Sequence, residues 1–218
     1  MNTPDVVTIL EISLRNLRIS LTALVLATAI GVPIGVWLGS RRFWGRRLLV
    51  ALVNSGMGAP PVVVGLAVAL LLWRSQPLGG LGLMYTPTGM VVAQVLIALP
   101  LLIAITLAAV GALGEEWDLQ VRTLAVPRLW RVWLLMREIR LGILAAVIAA
   151  LGAILSEVGA VLMVGGNLAG ETRVLTTAIL MQTQMGEFGV AMGLSAVLLG
   201  LMLVLAGLLT AVQQGGRS

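Results

Sequence analysis

Five long apolar runs dominate the sequence and restrict what it can fold into. They cover roughly residues 19–39, 48–73, 88–113, 141–164 and 189–212. Crossing the hydrocarbon core of a bilayer takes about 20 helical residues, so each run is long enough to span a membrane. Only 11% of the residues are charged and 59% are hydrophobic, whereas soluble domains carry about 25% charged residues. The sequence therefore predicts an all-α membrane protein with five transmembrane helices in a single domain, residues 1–218.

The second and third runs contain prolines near their middles. Pro60 and Pro61 lie in the second run, and Pro100 lies in the third. Because proline removes a backbone N–H and kinks a helix, both spans are expected to be bent or broken. Irregular backbone at membrane depth is tolerated where protein buries it or where it lines a cavity. Segment 54–61 (NSGMGAPP) is therefore either part of a transport path or a simple proline kink.

The arginines are distributed unequally between the two sides that five spans define. All fourteen basic residues are Arg. Ten of them fall on one side: Arg41, Arg42, Arg46, Arg47, Arg122, Arg128, Arg131, Arg137, Arg140 and Arg217. The other side holds four: Arg15, Arg18, Arg74 and Arg173. Since basic residues concentrate in cytoplasmic loops, we expect the N-terminus outside and the C-terminus in the cytoplasm.

Several kinds of chemistry are excluded by the residue types that the chain lacks. Without Lys there is no GxxxxGK[ST] phosphate-binding loop, and without His or Cys there is no His/Cys metal site. The nine acids form no pattern suited to metal binding or acid–base catalysis. We therefore expect no catalytic, cofactor or metal site. The arginines stand at the ends of apolar runs, which argues against nucleic-acid binding.

Three glycines at intervals of four residues lie in the first run. Gly31, Gly35 and Gly39 share one helix face and let another helix backbone approach closely. This face either packs against a helix of the same subunit or forms a contact between two subunits.

Two charged residues toward the outer side each have two interpretations. Glu157 lies inside the fourth run, where a carboxylate is by default a functional residue. Alternatively, it is a structural hydrogen-bond acceptor, paired with Arg173 or with the backbone of a broken helix. Arg173 in turn either guides an arriving anion or neutralises Glu171 or Glu157.

The outer segment 165–188 contains a short helical repeat of apolar residues. Val174, Leu175, Ala178 and Ile179 recur at helical spacing among polar neighbours. This pattern predicts an amphipathic helix lying at the membrane interface.

The inner segment 114–140 combines a short amphipathic helix with a break. Trp117, Val121 and Leu124 recur at helical spacing, Pro127 interrupts the pattern, and a second helix can begin afterwards. Such a helix either docks into a groove of another protein or lies on the membrane surface.

Residues 118–143 resemble the cytoplasmic signature of ATP-binding-cassette (ABC) importer permeases. That family has a Glu-Ala-Ala run, a later glycine and a Leu-Pro pair. Here Arg122-Thr123-Leu124 and Gly142-Ile143 match the signature. The sequence departs from it at Leu119-Gln120-Val121, which replaces Glu-Ala-Ala, at Ala125 in the glycine position and at Arg137 in the proline position.

Further stretches are similar to the oxyanion branch of that family, the molybdate, sulfate and tungstate permeases. They are APPVVVGLAVALLL (59–72), TPTGMVVAQVLIALPLLI (86–103) and GGNLAGETRVLTTAI (165–179). Two more, MREIRLGILAAV (136–147) and SEVGAVLMVGGN (156–167), are most similar to tungstate-type permeases. The resemblance covers most of residues 10–212.

The resemblance implies a fold, a membrane and a set of partners. The chain would be a multi-pass permease of a bacterial or archaeal plasma (inner) membrane that imports tungstate, or else molybdate or sulfate. A second permease copy would complete a homodimer, with the third and fifth spans near its axis. Two ATPase subunits and an extracytoplasmic oxyanion-binding protein would be the other partners. The different classes left open are a non-transporting membrane scaffold or signalling subunit and a secondary transporter.

The resemblance also implies two groups of site residues. The ATPase-coupling residues would be Arg122, Thr123, Leu124, Ala125, Val126 and Arg128. The translocation path is expected to be lined by small and weakly polar groups around Asn54, Ser55, Pro100 and Ser195.

Overall fold

The computed structural model describes residues 6–124 and 127–215, apart from the side chains at positions 115, 116, 118, 122, 128, 129 and 215. Within these ranges the regular elements are helical. They are α1 (Val6–Ser40), α2 (Arg46–Met57), α3 (Pro61–Leu72), α4 (Pro87–Gly111), α5 (Gly114–Thr123), α6 (Arg128–Glu138), α7 (Arg140–Ser156), α8 (Gly159–Gly165), α9 (Leu175–Gln184) and α10 (Phe188–Gly215), with a 3₁₀ turn at Gly79–Leu81. The prediction of an all-α membrane protein is confirmed.

Three helices, α1, α4 and α10, are long and apolar enough to cross a membrane on their own. Two bent pairs raise the number to five if each pair is taken as one span: α2 with α3, bent by 103°, and α6 with α7, bent by 62°. The second predicted run is therefore broken, as its prolines indicated. By contrast, α4 continues through Pro100 without a break.

The first helix extends well beyond the run that hydropathy indicates. The predicted run begins at residue 19, but α1 is already helical at Val6. Glu11, Arg15 and Arg18 interrupt the apolar pattern, so sequence alone hides this part of the helix. Tertiary contacts stabilise it instead, because Ile12 is buried in a cluster with residues of α9 and α10.

Helices α1 and α4 pack in parallel along the three glycines of α1. A Cβ atom placed on Gly31, Gly35 or Gly39 would lie within 3 Å of Leu102, Thr106 or Val110, respectively. All three glycines therefore serve packing inside one subunit, and the alternative of a subunit contact through this face is wrong.

We expect Gly35→Leu to destabilise the folded permease by roughly 1–3 kcal/mol or more, the usual cost of overpacking. A Cβ at this position would lie 2.7 Å from the Thr106 Cβ and 2.8 Å from the Ile103 carbonyl oxygen, leaving no room for the side chain. Gly111→Leu is the control, since nothing lies within 4 Å of a Cβ there. Unfolding in detergent measures the stability of both variants. Equal stability would contradict the packing of α1 on α4 at Gly35.

The C-terminal ends of α1 and α4 and the N-terminal end of α7 meet at one end of the molecule. Gly39 of α1 contacts Val110 of α4, and Gly142 near the start of α7 contacts Ala109 of α4. The turn between α1 and α2, the helix α5 and the helix α6 are joined to these ends. The segments that carry most of the arginines therefore share one side of the bundle.

The helix predicted in segment 165–188 exists, but its apolar face packs against protein. In α9 and just before it, Val174, Leu175 and Ala178 are buried. Leu175 and Ala178 pack against Ile12 of α1 and Leu194 of α10. Protein rather than lipid therefore covers the apolar face of α9, and its position relative to the membrane surface stays a prediction.

Candidate functional site

The break between α2 and α3 is caused by two successive prolines. After Met57 the chain makes two short turns, in which Gly58 N–H donates to the Ser55 carbonyl (3.2 Å) and Ala59 N–H to the Gly56 carbonyl (3.3 Å). Pro60 is the N-cap of α3 and Pro61 its first residue. Neither proline has an N–H with which to continue α2, so the helix ends and the chain turns by 103°.

A cavity of about 380 Å³ lies at this break, against α4. Residues of α2, α3, α4 and α7 and of the break surround it: Gly56, Met57, Gly58, Ala59, Pro60, Pro61, Val64, Leu96, Ile97, Pro100, Leu101 and Ala153. Pro100 cannot donate to the carbonyl of Leu96 one turn earlier, and Pro61 cannot donate to that of Met57. The side chains of the wall are apolar. The carbonyls of Leu96 and Met57 lack the N–H donors that a continuous helix would supply.

The structure brings only part of the predicted path together. Among the four predicted path residues, Pro100 lines the cavity. Asn54 and Ser55 are exposed on the last turn of α2, directly before the break. Ser195 is half-buried on α10, and its hydroxyl donates to the Ala191 carbonyl (2.8 Å).

A second helix break occurs at Glu157, in agreement with the alternative that pairs this carboxylate with the backbone of a broken helix. Helix α7 ends at Ser156, and α8 begins at Gly159. The Glu157 side chain is 8% exposed, and its Oε1 accepts a hydrogen bond from the Ala160 N–H (2.8 Å). A polar Ser-Glu pair followed closely by glycine, inside an apolar run, is the signal that could have indicated the break.

The two breaks lie next to each other in the fold. Helices α3 and α8 pack so closely that a Cβ on Gly65 would lie only 2.4 Å from the Ala160 Cα. A Cβ on Gly159 would lie 2.6 Å from the Val62 Cγ2. The bond of Glu157 to Ala160 closes the first turn of α8, and this turn packs against the first turns of α3.

For Glu157 we expect different effects from two substitutions. Glu157→Ala leaves the buried Ala160 N–H without an acceptor and should cost about 1–3 kcal/mol of stability. Glu157→Gln keeps an oxygen acceptor and should stay close to wild type. Thermal unfolding in detergent measures both. A stable Gln variant that fails to transport would instead show that the negative charge itself is required.

The segment after α8 is tightly bonded and carries the predicted Arg173. The Thr172 hydroxyl donates to the Gly165 carbonyl and accepts from the Leu168 N–H (2.9 Å). Arg173 is half-buried, and its Nε and Nη2 donate to Oδ1 (3.3 Å) and the carbonyl oxygen (3.4 Å) of Asn167. In the described part of the chain, Arg173 therefore bonds to Asn167 rather than to Glu157 or Glu171.

A second arginine, Arg15 of α1, also donates hydrogen bonds to this segment. Its Nη1 donates to the Arg173 carbonyl (3.1 Å) and its Nη2 to the Gly170 carbonyl (2.7 Å). This role of Arg15 is not visible in the sequence, because Arg15 lies more than 150 positions away from both acceptors. Two guanidinium groups are thereby fixed at one rigid loop.

The predicted coupling segment consists of two helices around Pro127, as its pattern indicated. On α5, Val121 is buried, Trp117 is half-buried, and Leu124 at the end of the same face is 74% exposed. The Thr123 hydroxyl donates to the Leu119 carbonyl (2.9 Å). Four predicted coupling positions lie outside the described residues: Ala125 and Val126 entirely, and Arg122 and Arg128 in their side chains.

Broken membrane helices around a cavity, joined to a short helix pair at one end, are the architecture of a transport subunit. Residues 31–215 match the family of binding-protein-dependent transport system inner membrane components. The chain belongs to this family and is the multi-pass permease subunit of an ABC importer, not an enzyme.

Curated relatives cover most of the chain. The probable anion ABC transporter permease protein of Haloferax volcanii is 39% identical over 192 residues, which are 85% of this chain and 83% of the relative. The tungstate uptake system permease protein TupB of Peptoclostridium acidaminophilum is 38% identical over 191 residues, covering 88% and 82%. The molybdenum transport system permease protein ModB of Azotobacter vinelandii is 29% identical over 189 residues, covering 83% of each chain.

Proposed function

We propose that this permease imports a tetrahedral oxyanion into the cytoplasm, with tungstate as the principal substrate. The observation that carries the proposal is the similarity to the tungstate permease TupB, at 38% identity over 88% of this chain. The similarity to molybdenum permeases is lower, at 29–33% identity. Molybdate is therefore the second candidate, and sulfate the third.

The chemistry of the cavity supports a path that passes an anion without retaining it. Its wall contains glycines, prolines and aliphatic side chains, with no Arg among its lining residues. A fixed cation there would hold a dianion tightly and slow its release, whereas conduction requires weak sites. Asn54 and Ser55, just before the break, and Ser195 on α10 are proposed as further weakly polar contacts. Selectivity would then reside in the external binding protein.

Arg173 and Arg15 are proposed as the place where the anion first meets the permease. Both guanidinium groups are fixed at the segment 165–173 by hydrogen bonds to backbone and amide oxygens. Glu157 is proposed as a structural residue of the path, because it holds the break between α7 and α8 beside the cavity.

The substrate is tested by reconstituting the permease with its ATPase and its binding protein in proteoliposomes. We expect ATP-dependent uptake of tungstate, with molybdate and sulfate as weaker competitors. Uptake of a sugar or an amino acid, with no stimulation by any of the three oxyanions, would overturn the proposal.

Orientation can be tested in the same protein. We propose the N-terminus outside, the C-terminus in the cytoplasm and segment 114–140 inside, on the basis of the arginine distribution. The chain contains no cysteine, so a single cysteine at the exposed Gln120 can be labelled selectively. Labelling is expected only from the cytoplasmic side; labelling only from outside would reverse the topology.

A second permease copy is proposed to pack along α10. The face of α10 that points away from the rest of the subunit contains Gly189, Gly193, Gly200 and Gly207, and nothing lies within 4 Å of a Cβ at any of them. Small residues let membrane helices approach closely. Two such faces would bring two copies together, and each copy would bind one ATPase through α5.

A further inference from the structure

One face of α6 carries two exposed tryptophans and an arginine that contact one another in sequence along the helix. Trp130 is 59% exposed and Trp133 is 51% exposed. Their ring centroids lie 5.6 Å apart in an edge-to-face arrangement. The Arg137 guanidinium lies 5.5 Å from the Trp133 ring centroid. Since these residues are three and seven positions apart, they form one continuous aromatic and basic strip along the helix.

The position of α6 places this strip at the end of a membrane span. Only Ile139 separates α6 from α7, and the two helices meet at an angle of 62°. Leu135 and Ile139 are buried, so the opposite side of α6 is anchored on the protein. The strip is therefore held next to the start of α7, with its aromatic rings facing away from the protein.

An open pocket of about 320 Å³ lies at the corner between α6 and α7. Arg137, Glu138, Arg140 and Leu141 line it. A ligand beside the exposed Arg137 guanidinium and the exposed Glu138 carboxylate would need both a negative charge and hydrogen-bond donors. A phosphodiester next to hydroxyl groups, as in phosphatidylglycerol, has this chemistry.

We propose that α6 is an interfacial helix that binds the membrane surface and holds an anionic glycerophospholipid. The indoles of Trp130 and Trp133 lie among the head groups and upper acyl chains, which is the region that Trp prefers. Arg137 binds the phosphate, and Glu138 accepts from head-group hydroxyls. Charge complementarity selects lipid as the occupant, because basic residues at a membrane surface attract anionic lipids. The inference requires a membrane-spanning α7 and is independent of the transported substrate.

The first test locates the two indoles. In a permease whose Trp37, Trp44, Trp73 and Trp117 are replaced by Phe, only Trp130 and Trp133 fluoresce. In lipid nanodiscs without ATPase, phospholipids brominated near the head-group end of the acyl chain should quench this fluorescence. If brominated lipid has no effect and a water-soluble quencher has full access until the ATPase binds, the strip is an ATPase contact and the proposal is overturned.

The second test examines the pocket. Permease with bound phosphatidylglycerol is washed in detergent, and the retained lipid is counted by native mass spectrometry. Arg137→Gln should reduce retention about fivefold. The control is Arg41→Gln, the same charge change at an exposed position in the turn between α1 and α2, and it should retain the lipid. An equal loss in both variants would indicate general charge attraction and would refute a specific pocket.

Discussion

Replacing Leu124 with glutamate is expected to abolish ATP-driven uptake while leaving the permease folded and inserted in the membrane. Leu124 is 74% exposed in the permease alone, so the new carboxylate remains hydrated and costs little in folding. If Leu124 enters a groove of the ATPase, the same carboxylate becomes buried and unpaired. That costs on the order of several kcal/mol, enough for a hundredfold loss of productive docking.

The measurements for Leu124→Glu are uptake in proteoliposomes and co-purification of the ATPase. Leu119→Glu is the matched control, since Leu119 is 63% exposed on the opposite side of α5 and should tolerate the change. The same loss is expected for Ala125→Glu, at a position outside the described residues. Normal uptake by the Leu124 variant would exclude this end of α5 from the ATPase groove.

The second large effect is expected at the outward face of α10. Gly200→Phe places an aromatic ring where two helices are proposed to approach each other across a subunit contact. We expect monomeric permease in detergent and a loss of uptake of about a hundredfold, because one copy has too few spans to enclose a route for a hydrated dianion. Light scattering of the solubilised protein measures the change in mass.

The control on the same helix is Leu208→Phe. Leu208 is also exposed, but it lies about a quarter of a turn away from the glycine face. It should remain dimeric and active. A dimer that survives Gly200→Phe unchanged would place the subunit contact elsewhere on the permease.

Sequence patterns predicted those parts of the fold that depend on local chemistry. Apolar runs of spanning length located α1, α4 and α10, and the adjacent Pro60 and Pro61 indicated the break after α2. Pro127 separated α5 from α6. In each case the responsible residues lie within the element itself or at its boundary, so a single stretch of sequence contains the signal.

Other features depend on residues that are distant in sequence. The helical extension before residue 19 is stabilised by contacts of Ile12 with α9 and α10 and by the bonds of Arg15 to Gly170 and Arg173. The burial of α9 depends on the same contacts. The proposed coupling residues were suggested by resemblance, and pattern alone left a membrane-surface helix equally open for that segment.

The glycine contact between α1 and α4 has a mechanical consequence. At Gly31, Gly35 and Gly39 the backbone of α1 packs directly on side chains of α4. Because closely packed elements transmit displacement, we expect α1 and α4 to tilt together as one rod. Helix α4 alone is about 37 Å long at 1.5 Å per residue, and only Ala112 and Leu113 separate it from α5. A displacement of α5 would therefore move the opposite end of the rod, where Arg15 donates a hydrogen bond to the Gly170 carbonyl. We expect the bending that such a movement requires to occur at the two helix breaks, after Met57 and at Glu157.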